Sequence, residues 1–333
     1  MEASAIVLAA GSGTRMKSAK PKVVHELLGK PLVRWVVDAA REAGVGQVIC
    51  VLGHGIETVQ PLVEADTSVV EQKQQNGTAD AVNSCREACA QMEGSLLVLS
   101  GDCPLITAET IAGLAQARED ADAAVAVLTM ETENPFGYGR IVRDENDQVV
   151  RIVEQKDCTP MQAAITECNS GFYCFDARYL FDALARVSNE NAQGEFYLTD
   201  VIEIARADDR RVVGVKAADI TECLGVNTRV QLAEATHIMQ QRINTRHMLA
   251  GVTMVDPASV WIGPDVRIDQ DVELLPSCML MGTTQIGSGS AIGPNVRLSD
   301  VTVGRGCTIE QTVAQGVRID DGCTCEPFSN LRP

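Results

Sequence analysis

No stretch of the 333-residue chain approaches the ~20 consecutive apolar residues that a membrane span requires, so membrane insertion is not expected. The N-terminus has neither a basic segment nor a cleavage-like site. It runs directly into Ala5-Ile-Val-Leu-Ala-Ala10, the composition of a buried strand, and a cytoplasmic protein is expected. Basic charge is scarce: 28 Lys and Arg stand against 45 Asp and Glu, a formal net charge of −17. That balance argues against nucleic acid or an anionic membrane as a general partner. There are twelve cysteines but no C-x-x-C pair. Cys50 and Cys174 fall in strand-like runs, Cys85 and Cys89 in a helical one, and Cys323-Thr-Cys325 places two thiols on one side of a strand. Reduced thiols are therefore expected rather than a disulfide or zinc framework. His25, His54, His237 and His247 show no metal-ligand spacing, and no Ser or Cys sits in a nucleophile motif. Structural roles are expected for all four.

What is present begins with enough apolar residues, 45%, to fill a real core, and enough length for two or three units. Residues 1–41 reverse the overall charge: Arg15, Lys17, Lys20, Lys22, Lys30, Arg34 and Arg41 oppose only Glu2, Glu26 and Asp38. A positive segment in an acidic protein suits a pocket for a small anion, although a solvated helix accounts for Lys30, Arg34 and Arg41 equally well. Up to about residue 225, apolar strand-like runs (5–10, 47–52, 96–100, 123–129) alternate with helical ones (32–43, 78–91). This alternation predicts an α/β fold, a mostly parallel sheet with helices on both faces. Around Asp144-Glu-Asn-Asp147 the pattern is that of a hairpin. Residues 228–250 contain no Gly or Pro and read as one long connecting helix.

Beyond Gly251 the apolar period becomes six. Ile262, Ile268, Leu274, Leu280, Ile286, Ile292 and Leu298 follow without a miss, with Val260, Val266, Val272 and Val296 two residues ahead. After a slip the series resumes at Val303 and Ile309, then Ile319 and Cys325. Such a repeat predicts a hexapeptide β-helix. It is still in register at Arg332-Pro333 without a capping element, which reads as an interrupted solenoid.

Chemistry is expected first at Leu8-Ala-Ala-Gly-Ser-Gly-Thr-Arg-Met16, a strand running into a glycine loop with a helix beyond. Gly11 and Gly13 let backbone N–H groups approach phosphate oxygens, while Arg15 and Lys22 supply cations. The loop lacks the third glycine of a dinucleotide fingerprint and the Gly-Lys-Ser/Thr of a P-loop. Asp102 follows the apolar run 96–100, at the sheet edge where α/β sites form.

The loop with Pro21-Lys22 resembles the signature of the sugar-nucleotide pyrophosphorylases. The closer resemblance is to the bifunctional UDP-N-acetylglucosamine pyrophosphorylase/glucosamine-1-phosphate acetyltransferase family. It extends through Gly53-His-Gly55, Gln72 to Thr78, Gly101-Asp102, Gly137-Tyr-Gly-Arg140, Ile152-Val-Glu-Gln-Lys156, Asn169-Ser-Gly171, Asn191-Ala-Gln-Gly-Glu-Phe-Tyr-Leu-Thr-Asp200 and Gly225-Val-Asn227. The resemblance implies a Rossmann-like nucleotide-diphospho-sugar transferase domain (1–227), a linker helix (228–250) and a truncated left-handed parallel β-helix (251–333). It implies UTP and N-acetylglucosamine-1-phosphate as substrates, with Mg²⁺ held by Asp102 and Asn227. Lys22 would neutralise the α-phosphate and Arg15 the leaving pyrophosphate. The nucleotide would lie along Leu8, Ala9, Ala10, Gly11 and Gly13, with Gln72, Gly77 and Thr78 reading uracil. Gly139, Glu154, Asn169 and Glu195 would line the sugar side, and Ser100 and Gly101 would also contact substrate, although Glu154 and Lys156 fit a surface ion pair equally well. Ser100 stands where many relatives carry Tyr. The resemblance also implies a homotrimer built through the β-helix. Arg332 would lie at the edge of an acetyltransferase site whose remaining parts lie beyond residue 333, so acetyl transfer is not expected from these residues. A different nucleotide and sugar pair, such as dTTP or ATP with glucose-1-phosphate, and an inactive hexapeptide scaffold are the rival readings.

Overall fold

Strand β1 (Ala3–Ala9) sets the pattern of the first unit: Ala3, Ala5, Val7 and Ala9 pack into one apolar cluster and Ile6 into another. Alternate side chains of a strand face opposite ways, so a strand apolar at nearly every position must be covered on both faces. The computed structural model describes residues 3–333. It forms two compact units, one built from the chain up to His25 with Pro31–Gln231, the other from Glu26–Lys30 with Leu232–Pro333.

In the first unit the sheet strands after β1 are β2 (Gln47–Leu52), β3 (Ser68–Glu71), β4 (Ser95–Ser100), β5 (Val125–Glu131), β6 (Arg140–Arg143), β7 (Val149–Val153), β8 (Glu167–Asp176) and β9 (Val212–Lys216). The sheet order is β9-β5-β8-β4-β1-β2-β3. Pairings among β4, β1, β2 and β3 are parallel, whereas β8 runs antiparallel between β4 and β5. Helices α1 (Leu32–Glu42), α2 (Ile56–Val63) and α4 (Ala108–Asp120) bury apolar residues on one face; α3 (Thr78–Asn83), α6 (Ala177–Leu184) and α7 (Asp200–Ala207) do so on the other. A short α5 (Pro160–Ala163) opens with a capping box at Thr159 and Gln162. The expected hairpin is β6–β7, its turn held by the Asp144 carboxylate accepting from the amides of Asn146 and Gln148.

Two helices are shorter than the sequence suggests. The run 78–91 is helical only to Asn83 and then continues as turns, with Ser84 Oγ donating back to the Asp80 carbonyl at 2.9 Å. The amides of Cys85 and Arg86 then bond to carbonyls three residues back, at Val82 and Asn83, tightening the run into turns. After the glycine loop there is a single 3₁₀ turn, Thr14–Met16, closed by Lys17 in the left-handed region at φ 49°. That conformation interrupts a helix, and Pro21 disfavours a restart just before it.

The long helix α8 (Arg229–Leu249) leads into the second unit. There the period-six residues stack in three parallel ladders. Ile262 lies beside Leu280 and then Leu298, Ile268 beside Ile286 and Val303, and Leu274 beside Ile292 and Ile309. One hexapeptide per side and three sides per coil give that register. Almost all these side chains are buried, Ile268 being only partly so. The inward position two residues earlier continues through Cys278, Thr284 and Ser290. The hydroxyls bond to backbone, Thr284 Oγ1 to the Met281 carbonyl and Ser290 Oγ to that of Gly304, so burial costs them little. Gln240 and Asn244 of α8 donate to the carbonyls of Ala258, Val260 and Pro257 at 2.7–2.9 Å, supplying donors to backbone acceptors of the first coil.

Deleting an inward residue should open a cavity that a rigid coil cannot collapse. Leu280→Ala is expected to cost ~2–5 kcal/mol in urea unfolding. The exposed neighbour change Gln285→Ala should stay within ~0.5 kcal/mol. Equal effects would contradict the assigned ladder faces.

Candidate functional site

The glycine loop leaves β1 and turns back on itself. Gly13 has φ +64°, and a Cβ there would lie 2.5 Å from that of Lys22, so both backbone conformation and packing demand glycine. A Cβ at Gly11 would meet nothing within 4 Å, so its absence there relieves no clash. Among the described residues, the amides of Ser12, Gly13 and Thr14 have no hydrogen-bond acceptor. Consecutive unpaired N–H groups in a tight loop form an anion-binding concavity.

Lys22 is brought under this loop, and its ammonium contacts the Asp102 carboxylate and donates to Asn227 Oδ1 at 2.8 Å. Arg15 donates to the same Asn227 oxygen at 2.9 Å. The Lys22 and Asp102 side chains are only 15% and 21% exposed, which limits screening of their attraction. Asp102 lies just past the end of β4, and its carbonyl accepts from the Val226 amide at 2.8 Å. Asn227 sits at the entry to α8, where Thr228 Oγ1 accepts from the Gln231 amide and the Gln231 side chain accepts from the Asn227 amide. That reciprocal Thr-x-x-Gln arrangement is a helix-start device and holds Asn227 in place.

Around this cluster lies a cleft of about 450 Å³. Its wall includes Leu8, Ala9, Ala10, Gly11, Gly13, Arg15, Lys22, Gln72, Gly77, Thr78, Ser100, Asp102, Glu195 and Asn227. Gly101 stands behind that wall: its amide donates to the Leu8 carbonyl, and a Cβ would lie 2.8 Å from the same oxygen. The structure also adds Ser12, Thr14, Val23, Gln75 and Ala81 to the wall. Gln75 donates to the Ala10 carbonyl at 2.7 Å and ties its loop to the end of β1; the polar run from Gln72 to Asn76 was the only signal for it. Gly77, at φ +119°, packs directly against the Phe196 carbonyl.

Gly139, Glu154 and Asn169 gather separately. A Cβ on Gly139 would lie 3.5 Å from both Glu154 Oε1 and the Asn169 Cβ. Glu154 lines a second depression of about 480 Å³ with Asp157, Asp200 and Glu203. It accepts from Thr199 Oγ1, while Lys156 donates to Gln193, so these two side chains form no ion pair with each other. Ser100 Oγ donates to the Gly171 carbonyl at 3.2 Å. The histidines stay outside both groups: His25 is buried with Nδ1 3.2 Å from an Arg229 nitrogen, and His237 contacts Gln240.

A cation already occupies the junction of Asp102 and Asn227, namely the Lys22 ammonium. A carboxylate and an amide oxygen converging on one point also suit a hard divalent ion. Among the described residues no group of three or more His, Cys, Asp or Glu could hold a metal. All twelve cysteines are free thiols, nine of them buried.

Burial raises the Glu154 carboxyl above its usual range; Asp157, Asp200 and Glu195 add repulsion, and Thr199 offsets part. Burial, then Glu203 and Asp157, push Asp200 up to about 6 from an ordinary 3.8. The folded state therefore holds the Asp200 proton more tightly than the unfolded chain. Its stabilising contribution is complete below pH ~4 and is lost as pH rises through ~6. Asp200→Asn should leave the melting temperature unchanged near pH 4 and raise it by roughly 2–4 °C at pH 7.5, allowing for partial exposure. A difference independent of pH would contradict this assignment.

A MobA-like NTP transferase domain matches residues 5–198. Among curated proteins, the bifunctional protein GlmU of Lactobacillus johnsonii is 44% identical over 328 residues, 98% of this chain and 71% of that protein. That of a Geobacillus species is 45% identical over 329 residues, covering 99% and 72% respectively. The Caldanaerobacter subterraneus protein is 43% identical over 332 residues, covering 100% and 72%. With an NTP transferase domain matched over more than half of this chain, and relatives 43–45% identical over 98–100% of it and 71–72% of their own length, the chain is an enzyme of the nucleotidyltransferase class and belongs to the GlmU family.

Proposed function

We propose that the chain transfers a uridylyl group from UTP to N-acetylglucosamine-1-phosphate, giving UDP-N-acetylglucosamine and pyrophosphate. The observation that carries this reading is the convergence of Lys22, Arg15, Asp102 and Asn227 beside a loop of unpaired backbone amides. It is a site for polyphosphate. A sugar-1-phosphate is already ionised near neutral pH, so its oxygen needs no base to attack the α-phosphorus in line. The Pα–O bond to pyrophosphate breaks as the new Pα–O bond forms. The protein's work is then alignment and charge neutralisation. Lys22 would meet the α-phosphate, and Arg15 with the amides of residues 12–14 the leaving pyrophosphate. Asp102 and Asn227 would hold Mg²⁺, which supplies further neutralisation of phosphate charge. Gln72, Gly77 and Thr78 would face the base, and Gly139, Glu154 and Asn169 the sugar. Glu195 lines the cleft next to Phe196, whose carbonyl packs against Gly77, and would join the two halves.

We assign transfer to residues 1–227, a connecting role to 228–250, and assembly as a homotrimer to 251–333. Met279 and Val313, apolar and more than a third exposed, stand on either side of Arg297 in one outer ladder of the second unit and support the assembly. Residues 251–333 contain no histidine to act as a base, so we assign nucleotidyl transfer alone to these 333 residues.

The test is pyrophosphate release from UTP and N-acetylglucosamine-1-phosphate with Mg²⁺. Lys22→Met is expected to lower kcat by about 10²–10³ while the chain stays folded, the usual cost of removing one donor to developing charge. Asp102→Ala should abolish turnover at millimolar Mg²⁺. Release from dTTP or ATP with glucose-1-phosphate, but not from this pair, would transfer the assignment to that reaction; silence toward every pair would leave the scaffold reading.

A further inference from the structure

Gln72 is 5% exposed and lines the cleft, yet its side chain is held from behind. Its Nε2 donates to Asp80 Oδ2 at 2.8 Å and to the Gly77 carbonyl at 3.2 Å. A primary amide nitrogen has two hydrogens, and both are used. A carboxylate oxygen and a carbonyl can only accept here, so a flipped amide would set Oε1 against two oxygens. The network therefore fixes which end of the amide the cleft meets.

We infer that Asp80 is a positioning residue for base selection, orienting the Gln72 amide so that its oxygen is the group offered to an incoming base. The inference rests on the proposed uridylyl transfer. Beside Gln72, the Gly77 amide has no acceptor among the described residues. An acceptor next to a donor matches the N3–H and adjoining carbonyl of uracil. Cytosine carries a lone pair at N3 and would direct it at Gln72 Oε1. Without Asp80 the amide loses its strongest orienting partner, and its NH₂ can turn toward the base and accommodate the cytosine pattern. Asp80 occupies the first turn of α3, where a carboxylate is also favoured by the helix dipole; a purely helical role would leave base preference unchanged.

The measurement is calorimetric titration of UTP and of CTP into the full chain in Mg²⁺. The wild-type chain should prefer UTP. Asp80→Ala should lower the UTP:CTP affinity ratio about tenfold, the size of one net hydrogen bond to a charged partner. Asp80→Leu should do the same and serves if the alanine variant fails to fold. Asp80→Asn keeps an oxygen for Gln72 and should retain the ratio within about threefold. An unchanged ratio in folded Asp80→Ala or Asp80→Leu, or equal binding of both nucleotides by wild type, would overturn the inference. Because the readout is binding, failure of the wild type to turn over N-acetylglucosamine-1-phosphate would count against the transfer reading and leave this ratio to decide the role of Asp80.

Discussion

One ammonium group joins three distant stretches of the first unit. Lys22 reaches Asp102 across 80 residues and Asn227 across 205, while Arg15 adds a second cation to the same amide oxygen. The sheet makes the meeting possible: β1 and β4 are parallel neighbours, so the glycine loop and the Asp102 turn leave the same sheet edge. Asn227 is then held by the start of α8 and by the Val226 amide on the Asp102 carbonyl. Two positive groups share one carboxylate and one amide, so positive charge is in local excess in an acidic protein. An anion with its own cation would fit that excess, which is the form in which a nucleotide triphosphate arrives.

Much of this is legible in the sequence. A six-residue period admits few structures, and its phase alone names the buried face of the ladders from Ile262 to Leu298. The all-apolar composition of β1 likewise announces a strand buried on both faces. Arg15 and Lys22 read together with the glycine loop as cations for a phosphate, but the pairing of Asp102 with Asn227 follows from the resemblance and not from spacing.

What stayed hidden depends on tertiary detail. Gly101 reads as part of the site, yet its smallness serves the close approach of the Leu8 carbonyl. The break after Asn83, where the amides of Cys85 and Arg86 bond three residues back instead of four, leaves no mark in a pattern of apolar residues. The antiparallel course of β8 cannot be read from its own sequence, because parallel and antiparallel buried strands share a composition. The inward Thr284 and Ser290 are polar by type, and only their backbone partners explain their burial.

The second unit shows the same economy of donors and acceptors on a different framework. Its first coil presents backbone carbonyls, and the amides of Gln240 and Asn244 meet them. In both units, side-chain amides thus complete what the backbone leaves open. Under the proposed reading Asp102 and Asn227 form the cation-handling centre, beside the Lys22 ammonium that contacts both. Mn²⁺ binding followed by electron paramagnetic resonance, with UTP present, tests it most directly. One tightly bound ion per chain is expected in the wild type, and at least tenfold weaker binding in Asn227→Leu. Unchanged affinity in that variant would place the metal elsewhere and contradict the account.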